Sequence, residues 1–154
     1  MSKPGTYIWR YEIVLRDAKT IVNDKTPASA EVFKAFKDYL AGGSNRAALL
    51  DLDASKVVID LESVLAMRAV IVHEPPTRPA QRWDRTVYAL KLKEKDQETT
   101  FQVQDDEEKL LAAYREYLAK PNPNLRGAAH ATDFSAIAVR FDELVWMSVH
   151  RSDQ

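Results

Sequence analysis

The chain of 154 residues is 45% apolar and 29% charged, with four glycines, no cysteine and a formal net charge of -1. This composition is typical of a globular protein with a buried core, and the lack of cysteine excludes disulfides, thiolate nucleophiles and zinc-thiolate sites. The near-neutral charge disfavours dedicated nucleic-acid binding, because phosphate neutralisation by lysine and arginine supplies most of the affinity of such proteins.

The apolar stretches of the chain are short. None approaches the roughly 18 to 20 residues that a membrane span requires, and the start "MSKPGTYIWRYE" lacks the apolar segment of a signal peptide. Together with the lack of cysteine, these features predict a soluble cytoplasmic protein without membrane contact.

The first half of the chain changes from strand patterns to a helix pattern and back. Apolar and polar residues alternate in residues 6–17, which predicts a strand, and residues 20–23 are expected to be the return arm of a hairpin. Residues 25–43 have helical spacing that ends at a Gly-Gly pair. Residues 56–72 return to β-forming residues and predict two strands or one strongly bulged strand.

The second half shows the same order of patterns after a proline-rich segment at residues 75–84. Residues 86–94 alternate as a strand, and residues 99–103 offer a return arm. Residues 104–120 have helical spacing, with Asp105 placed to cap the helix. The second half therefore predicts the same elements as the first.

The two halves also share residues at a nearly constant spacing. The apolar face of the first predicted helix recurs 78 positions later, in the pairs Val32 and Leu110, Phe33 and Leu111, Phe36 and Tyr114, Tyr39 and Tyr117, and Leu40 and Leu118. Five residues recur identically 80 positions later, in the pairs Arg46 and Arg126, Ala48 and Ala128, Asp53 and Asp133, Ser55 and Ser135, and Met67 and Met147. The small difference between the two spacings falls in loops, which tolerate insertion.

This recurrence predicts an α+β fold made by internal duplication of a β-β-α-β-β unit. The first unit is residues 1–74, the connector is residues 75–84 and the second unit is residues 85–154. Because a unit of this size buries too little surface to be stable alone, we expect the halves to pack about a pseudo-two-fold axis as a single domain, either as a monomer or as a homodimer. Two unrelated segments with a shared pattern, or two independent units on a linker, are the alternatives.

Two of the three histidines follow a valine at positions 77 residues apart, His73 and His150. A pseudo-two-fold axis could relate them as a metal-binding or pH-sensitive pair. Against this reading, the sequence has no His-Glu-x-x-His spacing, and a histidine at a strand end is usually structural. These two residues are the candidate metal ligands, and no cofactor is predicted.

Aromatic and arginine residues are the best candidates for a binding surface. They are typical of the central residues of protein interfaces, and they also stack on nucleic-acid bases. The candidates are three tryptophans and three arginines near the connector: Trp9, Arg78, Arg82, Trp83, Arg85 and Trp146. The alternative is that the tryptophans cover the seam between the halves.

The sequence contains no phosphate-binding glycine loop and no nucleophile elbow, which disfavours an enzyme. The favoured hypothesis is a non-catalytic interaction protein that presents its aromatic and arginine surface to a protein partner. A second hypothesis is nucleic-acid binding by Arg82, Arg85 and the strand with Lys91, Lys93 and Lys95. A third is a small metal-dependent or hydrolytic enzyme that uses the two candidate histidines.

Overall fold

The computed structural model describes residues 6–16, 20–23, 26–74, 86–120, 122–132 and 135–151. For residues 6–8, 26–27 and 72–74 it describes the backbone and not the side chains. The connector predicted at residues 75–84 lies outside the described residues, and so do Arg78, Arg82, Trp83 and Arg85. The predicted division of the chain at this connector therefore stays a prediction.

The protein is a mixed α+β structure in which two helices pack on antiparallel sheets. In the described residues the order β-β-α-β-β-β occurs twice. The elements of the first half are β1 (Thr6–Leu15), β2 (Ile21–Asn23), α1 (Thr26–Leu40), β3 (Ala47–Asp51), β4 (Lys56–Asp60) and β5 (Val64–Glu74). Those of the second half are β6 (Thr86–Leu92), β7 (Thr99–Val103), α2 (Lys109–Ala119), β8 (Gly127–Ala131), β9 (Ser135–Arg140) and β10 (Leu144–Arg151).

Each half has one strand more than the predicted unit. The additional strands are β3 and β8, whose sequences AALLD and GAAHA contain no β-branched residue. Since β-branched and aromatic residues are the main local signal for a strand, these two strands depend on pairing with β4 and β9.

The segment predicted as two strands or one bulged strand forms two strands, β4 and β5. They are separated by a 3₁₀ turn at Leu61–Ser63, and a matching turn at Phe141–Glu143 separates β9 from β10. The Asp60 carboxylate accepts a hydrogen bond of 3.0 Å from the backbone N–H of Glu62, which stabilises the start of the first turn.

The sheets join the two halves of the chain. The largest sheet has the strand order β2-β1-β5-β9-β8, a second has the order β10-β6-β7, and a third is the ribbon of β3 and β4. Strand β9 belongs to the second half but pairs with β5 of the first, from Ala66 opposite Val139 to Val70 opposite Ser135.

The ladder of β1 with β5 and that of β6 with β10 have the same irregularity. Each ladder skips one residue just after its 3₁₀ turn, Leu65 in β5 and Val145 in β10. The next residues, Ala66 and Trp146, therefore take the same position in the two ladders. Such a bulge re-aims the side chains that follow it.

Two hydrophobic cores lie beneath the helices. The helix residues buried in them belong to the predicted apolar faces: Val32, Phe36, Tyr39 and Leu40 in the first core, and Leu110 and Tyr114 in the second. The halves also exchange residues. Val14, Leu65 and Ala66 of the first half pack in the second core, whereas Ala136 and Ala138 of the second half pack in the first.

The helix ends follow the predicted signals with one difference. Gly42 has a φ of +112°, so it supplies the left-handed conformation that ends α1. The carboxylate of Asp105 accepts hydrogen bonds from the first two helical N–H groups, those of Lys109 (2.8 Å) and Leu110 (3.0 Å), although the N-cap residue of α2 is Glu108 and not Asp105. The helix itself begins only at Lys109, because residues 106 and 107 form a turn.

No helix in the described part of the chain is long and apolar enough to cross a membrane.

Candidate functional site

Strand β10 lies at the border of its sheet and carries exposed apolar side chains. It pairs with β6 on one side, and no strand of the described residues pairs with its other side. Val145 and Trp146 are 57% and 39% exposed. An unpaired strand offers a row of backbone N–H and C=O groups to another chain. We call the unpaired side of β10, with Val145 and Trp146, the β10 edge.

The side chains of β10 alternate between the core and this exposed surface. Met147 and Val149 pack against the second core, whereas Ser148 is exposed and Trp146 lies opposite Lys91 of β6. Because successive side chains of a strand point to opposite faces, one face of β10 holds the strand in place. The other face is left to solvent.

Strand β4 forms a second open border. It pairs with β3 and with no other strand among the described residues. Ile59 is buried in the first core, but Val57 and Val58 are 38% and 70% exposed. A two-stranded ribbon alone is marginally stable, so β4 depends on the core beneath Ile59. We call its unpaired side, with Val57 and Val58, the β4 edge.

The predicted binding residues fall into separate parts of the molecule. Trp146 is on the β10 edge, whereas Trp9 is partly buried against the first core, with its ring 6.4 Å from that of Tyr11. The remaining four candidates belong to the segment outside the described residues, so their contribution to binding stays a prediction. Sequence reasoning did not single out Val145, Val57 or Val58, since an apolar residue in a strand is normally assigned to the core.

The lysines of the nucleic-acid hypothesis lie at the end of β6 and in the turn that follows it. The Lys91 ammonium donates hydrogen bonds to the backbone carbonyls of Leu92, at 3.0 Å, and of Lys95. Lys93 is exposed. The Lys91 ammonium therefore stabilises the turn that follows β6.

The two candidate metal ligands do not occupy matching positions. When β5 and β10 are aligned at the residue that each ladder skips, His150 of β10 corresponds to Val70 of β5. His73 lies three residues beyond Val70 in β5. Whether the two histidines form a metal-binding or pH-sensitive pair stays a prediction. Among the described residues, no group of three or more His, Asp or Glu side chains is placed to hold a metal ion.

A buried arginine joins the two halves next to the 3₁₀ turns. Arg140, 2% exposed, donates to the carboxylate of Asp142 at 2.8 and 3.1 Å and to the backbone carbonyl of Glu62 at 2.9 Å. Burial disfavours its charged form, but the carboxylates of Asp142 and Glu62 outweigh this effect and raise the pKa of Arg140 above its ordinary value. The guanidinium therefore stays charged inside the protein.

Further ion pairs surround this arginine. Arg16 lies 2.8 Å from Glu143 and 3.2 Å from Glu94, and the Tyr39 hydroxyl donates to the carboxylate of Glu62. We call Arg16, Tyr39, Glu62, Arg140 and Asp142 the seam network. Its members come from both halves, so no local sequence pattern could reveal it.

The seam network predicts a pH-dependent stability. The hydrogen bond from Tyr39, together with the charges of Arg140 and Arg16, lowers the pKa of Glu62 from its ordinary value of 4.5. Because this pKa is lower in the folded state, Glu62 stabilises the protein above pH 4.5, and the contribution is lost as the pH falls through the lowered value. We therefore expect Glu62→Gln to lower the free energy of unfolding at pH 7 and to lose this effect towards acid pH.

Urea unfolding of both proteins between pH 3 and pH 7 measures this difference. The exposed Glu107→Gln is the matched control, since Glu107 lies outside the seam network. A Glu62→Gln difference that is equal at every pH would contradict the prediction.

A second polar group surrounds the start of α2. The buried carboxylate of Asp105 accepts a 2.5 Å hydrogen bond from the Tyr88 hydroxyl and lies 3.6 Å from His130. Burial and the nearby Asp105 carboxylate raise the pKa of Tyr88 above its ordinary value. The cleft beside these residues has a volume of only about 170 Å³. Since Asp105 also accepts hydrogen bonds from the start of the helix, its acceptor capacity is used in holding the structure.

No protein-family model, curated protein or solved structure matches the chain.

Proposed function

We propose that this is a non-catalytic interaction protein that binds a partner polypeptide at the β10 edge. The observation that carries the proposal is the exposure of Val145 and Trp146 on a strand whose second side pairs with no strand in the described part of the chain. Strand addition at such a border uses the backbone for affinity and the exposed side chains for specificity. Tryptophan is also enriched among the residues that dominate binding energy.

The connector residues Arg82 and Trp83 stay predicted contributors to the same function. We further propose a cytoplasmic setting, which a cysteine-free composition suits.

We also propose that the fold arose by duplication of one β-β-α-β-β-β unit. A pseudo-two-fold axis between the halves would pair β10 with β4 as β9 pairs with β5, and this second pair does not form among the described residues. The repeated order of elements and the matching bulges in the two ladders support this origin. Equivalent hydrogen bonds support it as well. The N–H of Leu61 donates to the carbonyl of Arg46 at 2.7 Å, and the N–H of Phe141 donates to that of Arg126 at 2.8 Å.

Photo-cross-linking in cells that produce the protein tests the binding proposal. A photoreactive phenylalanine at position 146 is expected to form covalent adducts with a polypeptide, because this residue is exposed on β10, the strand to which the polypeptide would add. The same group at Val22 is the matched control, since Val22 is an exposed apolar residue on β2, in a different sheet from β10. Mass spectrometry identifies the adducts. Equal adducts at both positions, or none at position 146, would contradict the proposal.

A further inference from the structure

We infer that the polypeptide bound at the β10 edge is strand β4 of a second copy of this chain. This inference rests on the proposed function and names its partner. We take the register of this contact from the pairing of β5 with β9 inside the chain. Under the proposed duplication, β10 corresponds to β5 and β4 corresponds to β9.

The internal contact provides the template. Strand β9 adds to β5 with Met67 opposite Ala138 and Arg68 opposite Ile137. In this arrangement Leu65, Ala66, Ile137 and Ala138 are all 0% exposed. One strand of each half is therefore fully covered by a strand of the other half.

The corresponding pair, β10 with β4, does not form among the described residues, and its side chains are exposed. The residues that take the places of Leu65, Ala66, Ile137 and Ala138 are Val145, Trp146, Val57 and Val58. These four are among the seven large apolar side chains that are exposed in the described structure. The same positions are thus apolar in both halves but covered in only one contact.

The ends of the helices repeat this asymmetry. Leu40 at the end of α1 is 1% exposed, and its side chain lies against Gly127 of the second half. Its counterpart Leu118, predicted on the buried face of α2, is instead 60% exposed. The counterpart of Gly127 is Ala47, at the start of β3, which is also exposed. In a second copy, Ala47 would lie against Leu118 when β4 adds to β10.

An arginine stabilises the internal contact between the halves. An arginine also stands at the corresponding position in the first half, next to β4. Arg126 donates to the carbonyls of Tyr39 (2.7 Å) and Gly43 (2.9 Å) at the end of α1, where a cation is favoured by the helix dipole. Its counterpart Arg46 is exposed and forms an ion pair with Asp60 of the same chain at 2.8 Å, which it would exchange for carbonyls at the end of α2 of the other copy. The last turn of α2 contains no basic residue, so it is free to receive Arg46 of the second copy.

The inferred contact is heterologous, because β10 of one copy meets β4 of the next. Such contacts build rings or filaments unless the rotation closes at two copies. The template register places Ser148 opposite Val57, Met147 opposite Val58 and Trp146 opposite Ile59 of the neighbouring copy.

Site-specific disulfide formation tests this register, since the natural chain has no cysteine. Ser148→Cys is mixed with Val57→Cys, one of them labelled with ¹⁵N, and oxidised under mild conditions. We expect the mixed disulfide as the main product. Ser148→Cys with Val58→Cys is the matched control, because residue 58 points to the opposite face of β4. Random collision would favour the more exposed position 58, whereas the inferred register favours position 57 by roughly tenfold or more, given the strict geometry of a disulfide.

A charge on the β4 edge provides a second test. Val58→Lys is expected to abolish assemblies larger than one chain in native mass spectra. Its thermal midpoint should stay that of a single wild-type chain, since the side chain is already 70% exposed.

The outcomes separate the inference from the proposed function. A wild-type protein that remains a single chain at all concentrations, or a Val57→Cys, Ser148→Cys double variant that cross-links only within one chain, overturns the inference. Adducts at position 146 with a different protein, and none with a second copy, would overturn the inference and leave the proposed function standing. No adduct at position 146 would overturn both the inference of a second copy and the proposed binding function.

Discussion

Replacing Arg140 with methionine is expected to lower the free energy of unfolding by about 3 kcal/mol, the loss typical of breaking a buried ion pair. Methionine fills much of the space of the arginine side chain but donates no hydrogen bond. The carboxylates of Asp142 and Glu62 then lose their cation, and the carbonyl of Glu62 loses its donor. Because these groups come from both halves, the change loosens the join between them.

Urea unfolding followed by tryptophan fluorescence measures the loss. Lys109→Met is the matched control, since Lys109 forms an ion pair with Glu107 but on the exposed surface. Exposed pairs contribute little, so the control should unfold as the wild type does. Equal stability of the Arg140→Met variant would mean that the seam network does not join the halves.

Replacing Asp105 with alanine is expected to lower the free energy of unfolding by about 2 to 4 kcal/mol, from the loss of the side-chain acceptor at the start of α2 and from an unsatisfied buried hydroxyl. Asp105 accepts from two backbone N–H groups at the start of α2 and from the Tyr88 hydroxyl. All three donors lose this acceptor in the variant. Tyr88 belongs to the second core and is 0% exposed, so its hydroxyl would be left as a buried donor without this acceptor.

Two further variants make this result specific. Tyr88→Phe removes one donor together with its need for an acceptor, so it should cost about 1 kcal/mol. Glu107→Ala, in the same loop, removes only an exposed ion pair of 3.7 Å with Lys109 and should change little. If Asp105→Ala and Glu107→Ala had the same effect, the buried carboxylate would have no special role at this helix.

The local elements were largely predictable because their signals are contained in short stretches of sequence. The alternation in residues 6–17 and the spacing of Val32, Phe36 and Leu40 identified β1 and α1, and the Gly-Gly pair identified the end of that helix. The prediction failed where the local signal was weak, as in the alanine-rich strand β3. It also failed for Leu118, whose apolar character predicts burial but not what would bury it.

The seam network shows the same limit for polar residues. Arg140 and Glu62 are 78 positions apart, and each resembles an ordinary surface charge in the sequence.

By itself the sequence determined the α+β class, the order of most elements and the apolar faces of the two helices, since periodicity and capping act within a few residues of the chain. Only the tertiary structure decided that β9 pairs with β5, whereas β4 and β10 do not pair with each other in the described part of the chain. It also decided that Val145 and Trp146 are exposed, whereas Leu65 and Ala66 are buried. The physical reason is that burial depends on which strand lies alongside, and identical local patterns cannot specify different neighbours.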